Sequence, residues 1–298
     1  MGVVNRAEPS KTSQPAHLFR ILRLHVMLMP WPWRRKTRKT LARIAIEGAI
    51  SGSTRTRVLK ALEEVGQREC PALLLRIDSP GGTVGDSQEI HAAVRRLRQK
   101  GCHVVADFGN ISASGGVYVG VAAERIVANP GTITGSIGVI LRGNDLSRLL
   151  ERVGIRFDTV KSGVYKDILS PDRALSEDER QLLQQLIDAS YDQFVAAVAE
   201  GRGLPEATVR RFADGRVFTG SQALALGLVD ELGDEERARR LAAELAGLDP
   251  EKTRTVEFGK SSKRLLGLLP GRAFVATLVE AVTLDFAWSG QPLWLYRP

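Results

Sequence analysis

The sequence predicts an α/β fold in which repeated strand–helix–strand units build a layered core. Short apolar runs recur between residues 43 and 161, and several are apolar at nearly every position, as in parallel strands covered on both faces. Stretches with apolar residues at helical spacing separate these runs. The composition, 43% hydrophobic and 26% charged, is that of a globular protein. Strands that alternate with helices are typical of βαβ units.

The predicted elements follow one another along the chain. Strands are predicted at residues 43–46, 72–77, 104–108, 125–128 and 157–161. Helices are predicted at residues 54–65, 84–99, 146–153, 176–200, 206–212, 221–226 and 234–246. The helix at 176–200 has the clearest boundaries, because Ser176 and Glu179 form a capping box and Gly201 follows. Residues 1–40 are predicted to be an arm, 41–250 the α/β domain, and 251–298 a helix and tail that pack on the core or on a neighbouring subunit.

The formal net charge of +8 lies entirely in the arm, which carries nine basic side chains and one acidic one. The rest of the chain has 33 basic and 33 acidic side chains. A basic nucleic-acid-binding body is therefore disfavoured, and no nucleic-acid partner is expected.

The arm has features of a peripheral membrane contact. Trp31 and Trp33 precede a basic cluster at residues 34–36, a combination that favours an anionic membrane surface. Its apolar stretch, residues 17–33, is too short and too charged to span a bilayer. We expect a peripheral, membrane-associated protein; a disordered leader is the alternative.

Cysteine and histidine usage predicts neither a metal site nor a cofactor. Cys70 and Cys102 lack the spacing of a zinc site and are expected to be reduced, buried thiols. The four histidines, at positions 17, 26, 91 and 103, are scattered.

Two glycine-containing motifs follow predicted strands. Residues 77–82 read Ile-Asp-Ser-Pro-Gly-Gly, and glycines at such a junction let backbone N–H groups face a developing oxyanion; a tight turn is the alternative. Residues 112–118 read Ser-Ala-Ser-Gly-Gly-Val-Tyr. Here Ser114, flanked by small residues, leaves room for a substrate carbonyl at which the Gly115 amide can point; a helix cap is the alternative. Gly-Xaa-Ser-Xaa-Gly is absent, which argues against an α/β-hydrolase elbow.

A base for Ser114 must be sought outside the usual histidine, because no histidine follows His103. Lys161 and Lys166 lie in a small-residue loop after the last predicted strand. A lysine acts as a general base only if desolvation lowers its pKa from about 10.4 toward neutrality. A solvated surface lysine is the ordinary alternative. Between serine and lysines, Ser136 is the hydroxyl that could orient the ammonium.

Four motifs in order resemble the signal peptide peptidase A family of Ser-Lys serine peptidases. They are Asp-Ser-Pro-Gly-Gly (78–82), Ala-Ser-Gly-Gly (113–116), Thr-Ile-Thr-Gly-Ser-Ile-Gly-Val (132–139) and Lys-Ser-Gly-Val-Tyr-Lys-Asp (161–167). The resemblance extends over residues 43–235. It implies a fold similar to caseinolytic protease and the crotonases, and a homo-oligomeric ring whose subunits share active-site walls.

The resemblance also implies roles for individual residues. Ser114 becomes the nucleophile, Lys166 the general base and Ser136 the residue that orients the lysine. The amides of Gly81 or Gly82 and of Gly115 form the oxyanion hole, and Lys161 has no catalytic role. Hydrophobic peptides, such as signal-peptide remnants, are the implied substrates.

The sequence differs from the family pattern in two ways, and two alternative functions remain open. Many family members have a transmembrane anchor, which is not seen here, and others place serine and lysine in separate halves of a double-length chain, whereas one copy holds both here. A crotonase-like acyl-CoA enzyme would leave Ser114 and Lys166 without a role. A catalytically inactive membrane-associated scaffold of the same fold is the other rival. A caseinolytic-protease triad is disfavoured, because residues 115–140 contain no histidine.

Overall fold

The structure, a computed structural model, describes Gly2, residues 39–260 and residues 291–296. The predictions for the arm and for most of the C-terminal tail therefore lie outside the described residues. The strands are β1 (Thr40–Glu47), β2 (Ala72–Ser79), β3 (Gly81–Thr83), β4 (His103–Ala113), β5 (Arg125–Ala128), β6 (Ile133–Gly135), β7 (Val217–Thr219), β8 (Glu231–Leu232), β9 (Arg254–Phe258) and β10 (Leu293–Leu295). The helices are α1 (Gly52–Gln67), α2 (Val84–Gln99), α3 (Gly115–Gly120), α4 (Ser147–Arg152), α5 (Glu177–Arg202), α6 (Glu206–Arg210), α7 (Gly220–Ala225) and α8 (Glu235–Leu245).

The main sheet is mostly parallel and divides along β4. Its strand order is β7-β6-β4-β2-β1-β9, with β5 beside β4 and β8 beside β5. The first half of β4 pairs with β5, whereas its last three residues pair with β6. Only β6 and β7 are antiparallel among the described pairs of this sheet. β3 stands apart and pairs with β10.

Helices cover both faces of the sheet. Side chains that alternate along a strand face opposite sides, so Ile44 and Leu73 belong to the large core beneath α1, α2, α3 and α5. Leu74 faces the other side and packs with Ala242 of α8. The predicted α/β class is confirmed, and the likeness to caseinolytic protease and the crotonases stays a prediction.

One predicted strand is wrong. Residues 157–161 form no strand and are exposed along their whole length. The run contains Phe157, Thr159 and Val160, residue types that favour strands, but no described sheet face covers them. Conversely, the sequence pattern misses β3, β6, β7, β8, β9 and β10, because runs of two to five residues carry too little periodicity.

The long helix α5 begins as predicted and ends later. The Ser176 hydroxyl accepts from the Glu179 amide while the Glu179 carboxylate accepts from the Ser176 amide, which completes the capping box. The predicted end at Gly201 is wrong, because α5 ends at Arg202 and is capped by Gly203 in the left-handed conformation (φ +63°). At Gly201 a Cβ would lie 2.3 Å from the Val121 carbonyl oxygen. Gly201 therefore permits close packing of α5 near the end of α3.

No helix among the residues that the structure describes is both long enough and apolar enough to cross a membrane.

Candidate active site

Ser114 occupies a strained turn between β4 and α3. Its φ of +54° and ψ of −118° are rare for a side-chain-bearing residue, and such a conformation costs about 1–3 kcal/mol. The Ser114 amide donates to the Gly135 carbonyl (2.8 Å), and its own carbonyl accepts from the Tyr118 amide (3.0 Å). The residue is 1% exposed. This is the geometry of a nucleophile elbow, a serine on a sharp strand-to-helix turn, with Ser112 in place of that motif's first glycine.

Three glycines bring their backbones together beside Ser114. A Cβ on Gly81 would lie 2.6 Å from the Gly115 nitrogen, and one on Gly115 would lie 3.1 Å from the Gly82 nitrogen. The Gly81 amide is already engaged, because it donates to the Ser79 hydroxyl (3.1 Å). Gly82 and Gly115 are therefore the adjacent pair whose amides are better placed to share one acceptor.

Ser136 lies at the end of β6, next to the same turn. It directly follows Gly135, which accepts the hydrogen bond from Ser114. Its φ is +51° and it is buried, and its amide donates to the Arg216 carbonyl (2.7 Å). The structure therefore brings Ser114, Ser136 and the three glycines to the carboxyl ends of neighbouring strands.

Lys166 differs from the residues of this cluster in its exposure. Its side chain is exposed, and its amide donates to the Gly163 carbonyl (3.1 Å) in a turn. No hydrogen bond or ion pair engages its ammonium among residues 39–260 and 291–296. The described residues of one chain thus do not supply the burial that a lysine base requires.

The turn that carries Lys166 is tied to the beginning of α5 by ion pairs. The Lys161 ammonium donates to Asp167 (2.6 Å), and Arg173 bridges Asp167 (2.9 Å) and Glu179 (2.5 Å). Arg173 is the main reason that the pKa of Asp167 lies far below its ordinary value and that the pKa of Glu179 falls to about 2. Lys161 belongs to this network, whereas Lys166 makes no ion pair with its described members.

Neither described histidine contacts Ser114. The His91 ring packs on Tyr118 with centroids 4.8 Å apart. Burial, assisted by the charge of Arg95, lowers the pKa of His91 to about 4, so its ring is neutral at pH 7. His103 lies at the opposite end of β4, with Nδ1 2.9 Å from Glu124.

An aromatic pocket beside Ser114 is not evident from the sequence. Tyr118 lies one helical turn after Ser114, and its ring is 4.0 Å, between centroids, from that of Trp294 in β10. Phe194 of α5 completes the pocket at 4.8 Å from Trp294. Phe194 was predictable as part of the apolar side of α5, whereas nothing in the tail sequence places Trp294 here.

No cluster of three or more potential metal ligands occurs in the described part of the chain.

Comparison with known proteins identifies the family. The sequence profile of peptidase family S49 matches residues 96–249, just over half of the chain. The chain belongs to peptidase family S49. The matched region of this S49 domain contains Ser114, Ser136 and Lys166, while Gly81 and Gly82 precede it. The predicted membership of the signal peptide peptidase A family is confirmed.

Individual relatives also have protease or peptidase names. The S49 chain is 56% identical over 281 residues to the Synechocystis sp. protein named "Putative protease slr0021", covering 90% of this chain and all of that one. It is 39% identical over 180 residues to the Enterococcus faecium "Putative signal peptide peptidase SppA" (60% of this chain, 52% of that one). It is 34% identical over 202 residues to the Arabidopsis thaliana "Serine protease SPPA, chloroplastic" (67% and 30%). The family and these names identify a serine-type protease.

Replacing Arg173 by Met should loosen the turn that carries Lys166. Hydrogen exchange of residues 163–170 at pH 7 is expected to be roughly fivefold faster, because two ion pairs are lost. Since Arg173 depresses the pKa values of both partner carboxylates, its contribution is present above their ordinary values near pH 4 and is lost as the pH falls toward about 2. The difference between variant and wild type should therefore shrink over that interval.

Arg180→Met is the matched control. Arg180 is exposed, and its Nε lies 4.0 Å from the Glu177 carboxylate, so the substitution removes an arginine from α5 without removing a close ion pair. Equal exchange in the Arg173→Met and Arg180→Met variants would contradict the assignment.

Proposed function

We propose that this chain is a serine endopeptidase that cleaves hydrophobic peptides, such as released signal peptides, through an acyl-enzyme on Ser114. The observation that carries the proposal is the strained, buried Ser114 beside the adjacent amides of Gly82 and Gly115. Strain at a site that the surrounding backbone holds from two sides is typical of a functional residue.

In the first step, Lys166 as neutral amine removes the proton from the Ser114 hydroxyl. The Ser114 Oγ forms a bond to the peptide carbonyl carbon, and the amides of Gly82 and Gly115 donate to the oxygen that becomes negative. Lys166 then gives the proton to the departing amine as the C–N bond breaks. Water, deprotonated by the same lysine, attacks the ester, and Ser114 recovers its proton.

Ser136 is assigned the role of orienting the lysine. Its position beyond Gly135 supports this, because the same backbone segment also fixes Ser114. A hydroxyl there can accept from the amine while the amine faces the Ser114 hydroxyl.

We assign the burial of Lys166 to a second copy of the chain. The region around it exposes many apolar side chains, a pattern that favours a protein interface. They are Leu149, Val153, Ile155, Phe157, Val160, Val164 and Tyr165. We assign this apolar strap, residues 149–165, to the contact between neighbouring subunits of a homo-oligomeric ring. Its burial would remove water from around Lys166 and give it the apolar surroundings that a lysine base requires.

The first half of α5 extends the same argument. Leu182 and Leu186 are each more than 40% exposed, although they continue the apolar side of that helix.

Residues 1–40, with their net charge of +8, are assigned to contact with an anionic membrane surface.

The dyad is tested by separate substitutions of Ser114 and Lys166. Ser114→Ala and Lys166→Met should each lower kcat/KM for a hydrophobic peptide by at least about 10³-fold, because nucleophile and base act as a unit. Lys161→Met is the matched control and should keep most of the activity. Labelling by a serine-reactive phosphonate should disappear in Ser114→Ala. An active Lys166→Met enzyme with unchanged melting temperature would refute the dyad.

The assembly is tested by charging the apolar strap. Phe157→Lys combined with Val160→Lys should weaken self-association by about 30-fold or more, equivalent to about 2 kcal/mol for buried contacts of this kind. Light scattering should then report monomers that remain folded but cleave peptides poorly. Leu224→Lys, at an exposed apolar position of α7, is the control. Full activity in a monomeric strap variant would exclude the proposed role of the ring.

A further inference from the structure

The C-terminal strand β10 lies in a groove with hydrogen-bonding backbone on both sides. On one side it pairs antiparallel with β3, Trp294 lying opposite Gly82. The Val84 amide donates to the Pro292 carbonyl (3.4 Å) and the Tyr296 amide donates to the Pro80 carbonyl (2.6 Å). On the other side, Leu293 and Ile140 exchange two bonds of 2.9 and 3.1 Å. An extended segment held in this way is typical of peptide recognition by strand addition.

The Trp294 carbonyl reaches the adjacent glycine amides. A Cβ placed on Gly81 would lie 1.9 Å from the Trp294 carbonyl oxygen and 2.6 Å from the Gly115 nitrogen. The same oxygen and the Gly82 nitrogen each lie 3.1 Å from the position of a Gly115 Cβ. The carbonyl oxygen of Trp294 therefore converges with the two amides assigned to the oxyanion hole. It is where the carbonyl of a peptide attacked by Ser114 would have to be.

The Trp294 side chain fills the aromatic pocket completely. It is fully buried between Tyr118 and Phe194. Its indole N–H nevertheless has no acceptor in the described part of the chain, and an unpaired buried donor is destabilising. The pocket thus accommodates a large apolar side chain, and it makes no hydrogen bond to the indole of Trp294. A competing peptide with a purely apolar residue could replace it.

We propose that residues 292–296 occupy the peptide-binding groove of this chain as a built-in competitor. Peptides then bind only when this segment leaves, with a bulky apolar side chain taking the place of Trp294 and their backbone taking the place of β10 between β3 and Ile140. This inference rests on the proposed function for the statement that the groove binds substrate. It adds a regulatory segment and the side-chain class that the groove prefers.

A reversible disulfide tests the proposal by holding β10 in place instead of deleting it. Thr83 and Leu293 are opposite each other in the register, between hydrogen-bonded pairs, where Cα atoms are about 4.5 Å apart and a disulfide can form. The variant combines Thr83→Cys with Leu293→Cys in the full chain. Interference from Cys102 is not expected, because burial raises the pKa of its thiol to about 12.

Oxidation should lock β10 in the groove. Phosphonate labelling of Ser114 and cleavage of a hydrophobic peptide should then fall by about tenfold or more and return on reduction, the factor expected for about 1.4 kcal/mol of lost access. The Thr83→Cys single variant should not respond to reductant. Equal labelling and cleavage in the oxidised and reduced double variant would overturn the inference and leave the peptidase assignment intact.

A binding measurement decides the inference even if the peptidase assignment fails. A fluorescent peptide with the sequence of residues 291–298 should bind the reduced double variant and not the oxidised form, as measured by anisotropy. The matched peptide with Asp in place of Trp should bind neither. Absence of labelling and cleavage in every form, including wild type, would refute the proposed function; absence of redox-dependent peptide binding would refute the occupied groove.

Discussion

The hydrogen bond from the Ser114 amide to the Gly135 carbonyl is the contact on which the site depends. It joins the end of β4 to the end of β6, where the sheet divides, and fixes Ser114 in a conformation that it would not adopt alone. Close packing keeps α3 in place behind it: a Cβ on Gly116 would lie 3.0 Å from the Ser79 carbonyl oxygen, and one on Gly120 would lie 2.4 Å from the Phe108 ring. The strain is thus offset by a core that leaves the serine no alternative position.

The two halves of the proposed dyad differ in how the fold supports them. The serine side lies in one chain, because the nucleophile and the glycine amides lie where β2, β4 and β6 end, and the aromatic rings of Tyr118 and Phe194 come from α3 and α5. The lysine side is pinned to α5 by the Asp167–Arg173–Glu179 network but remains exposed. A base needs burial as much as position. The proposed ring therefore completes the electrostatics of the site, and activity becomes coupled to assembly.

How far the sequence predicts this arrangement depends on the range of the interactions involved. α2 begins and ends where predicted, because a helix of 16 residues repeats its apolar spacing over several turns. The short strand β5 is also found, because its apolar residues are continuous. The capping box of α5 is a local signal and is confirmed, whereas Gly201 misleads because its role is a tertiary contact with Val121. Residues 157–161 have the residue types of a strand but no described strand partner. Trp294 lies more than 170 residues from Tyr118 in sequence, and no local pattern can reveal such a contact.

A crystal structure of the full-length chain with a hydrophobic peptidyl phosphonate bound covalently tests the central claim most directly, namely that Ser114 acts as nucleophile in a groove that β10 occupies at rest. The account predicts phosphorus on the Ser114 oxygen and a phosphoryl oxygen accepting from the Gly82 and Gly115 amides. It also predicts a Lys166 ammonium within hydrogen-bonding distance of Ser114, and the inhibitor's backbone between β3 and Ile140 in place of residues 292–296. An adduct on another residue, or one on Ser114 with its phosphoryl oxygen turned away from both amides and no lysine nearby, would contradict it.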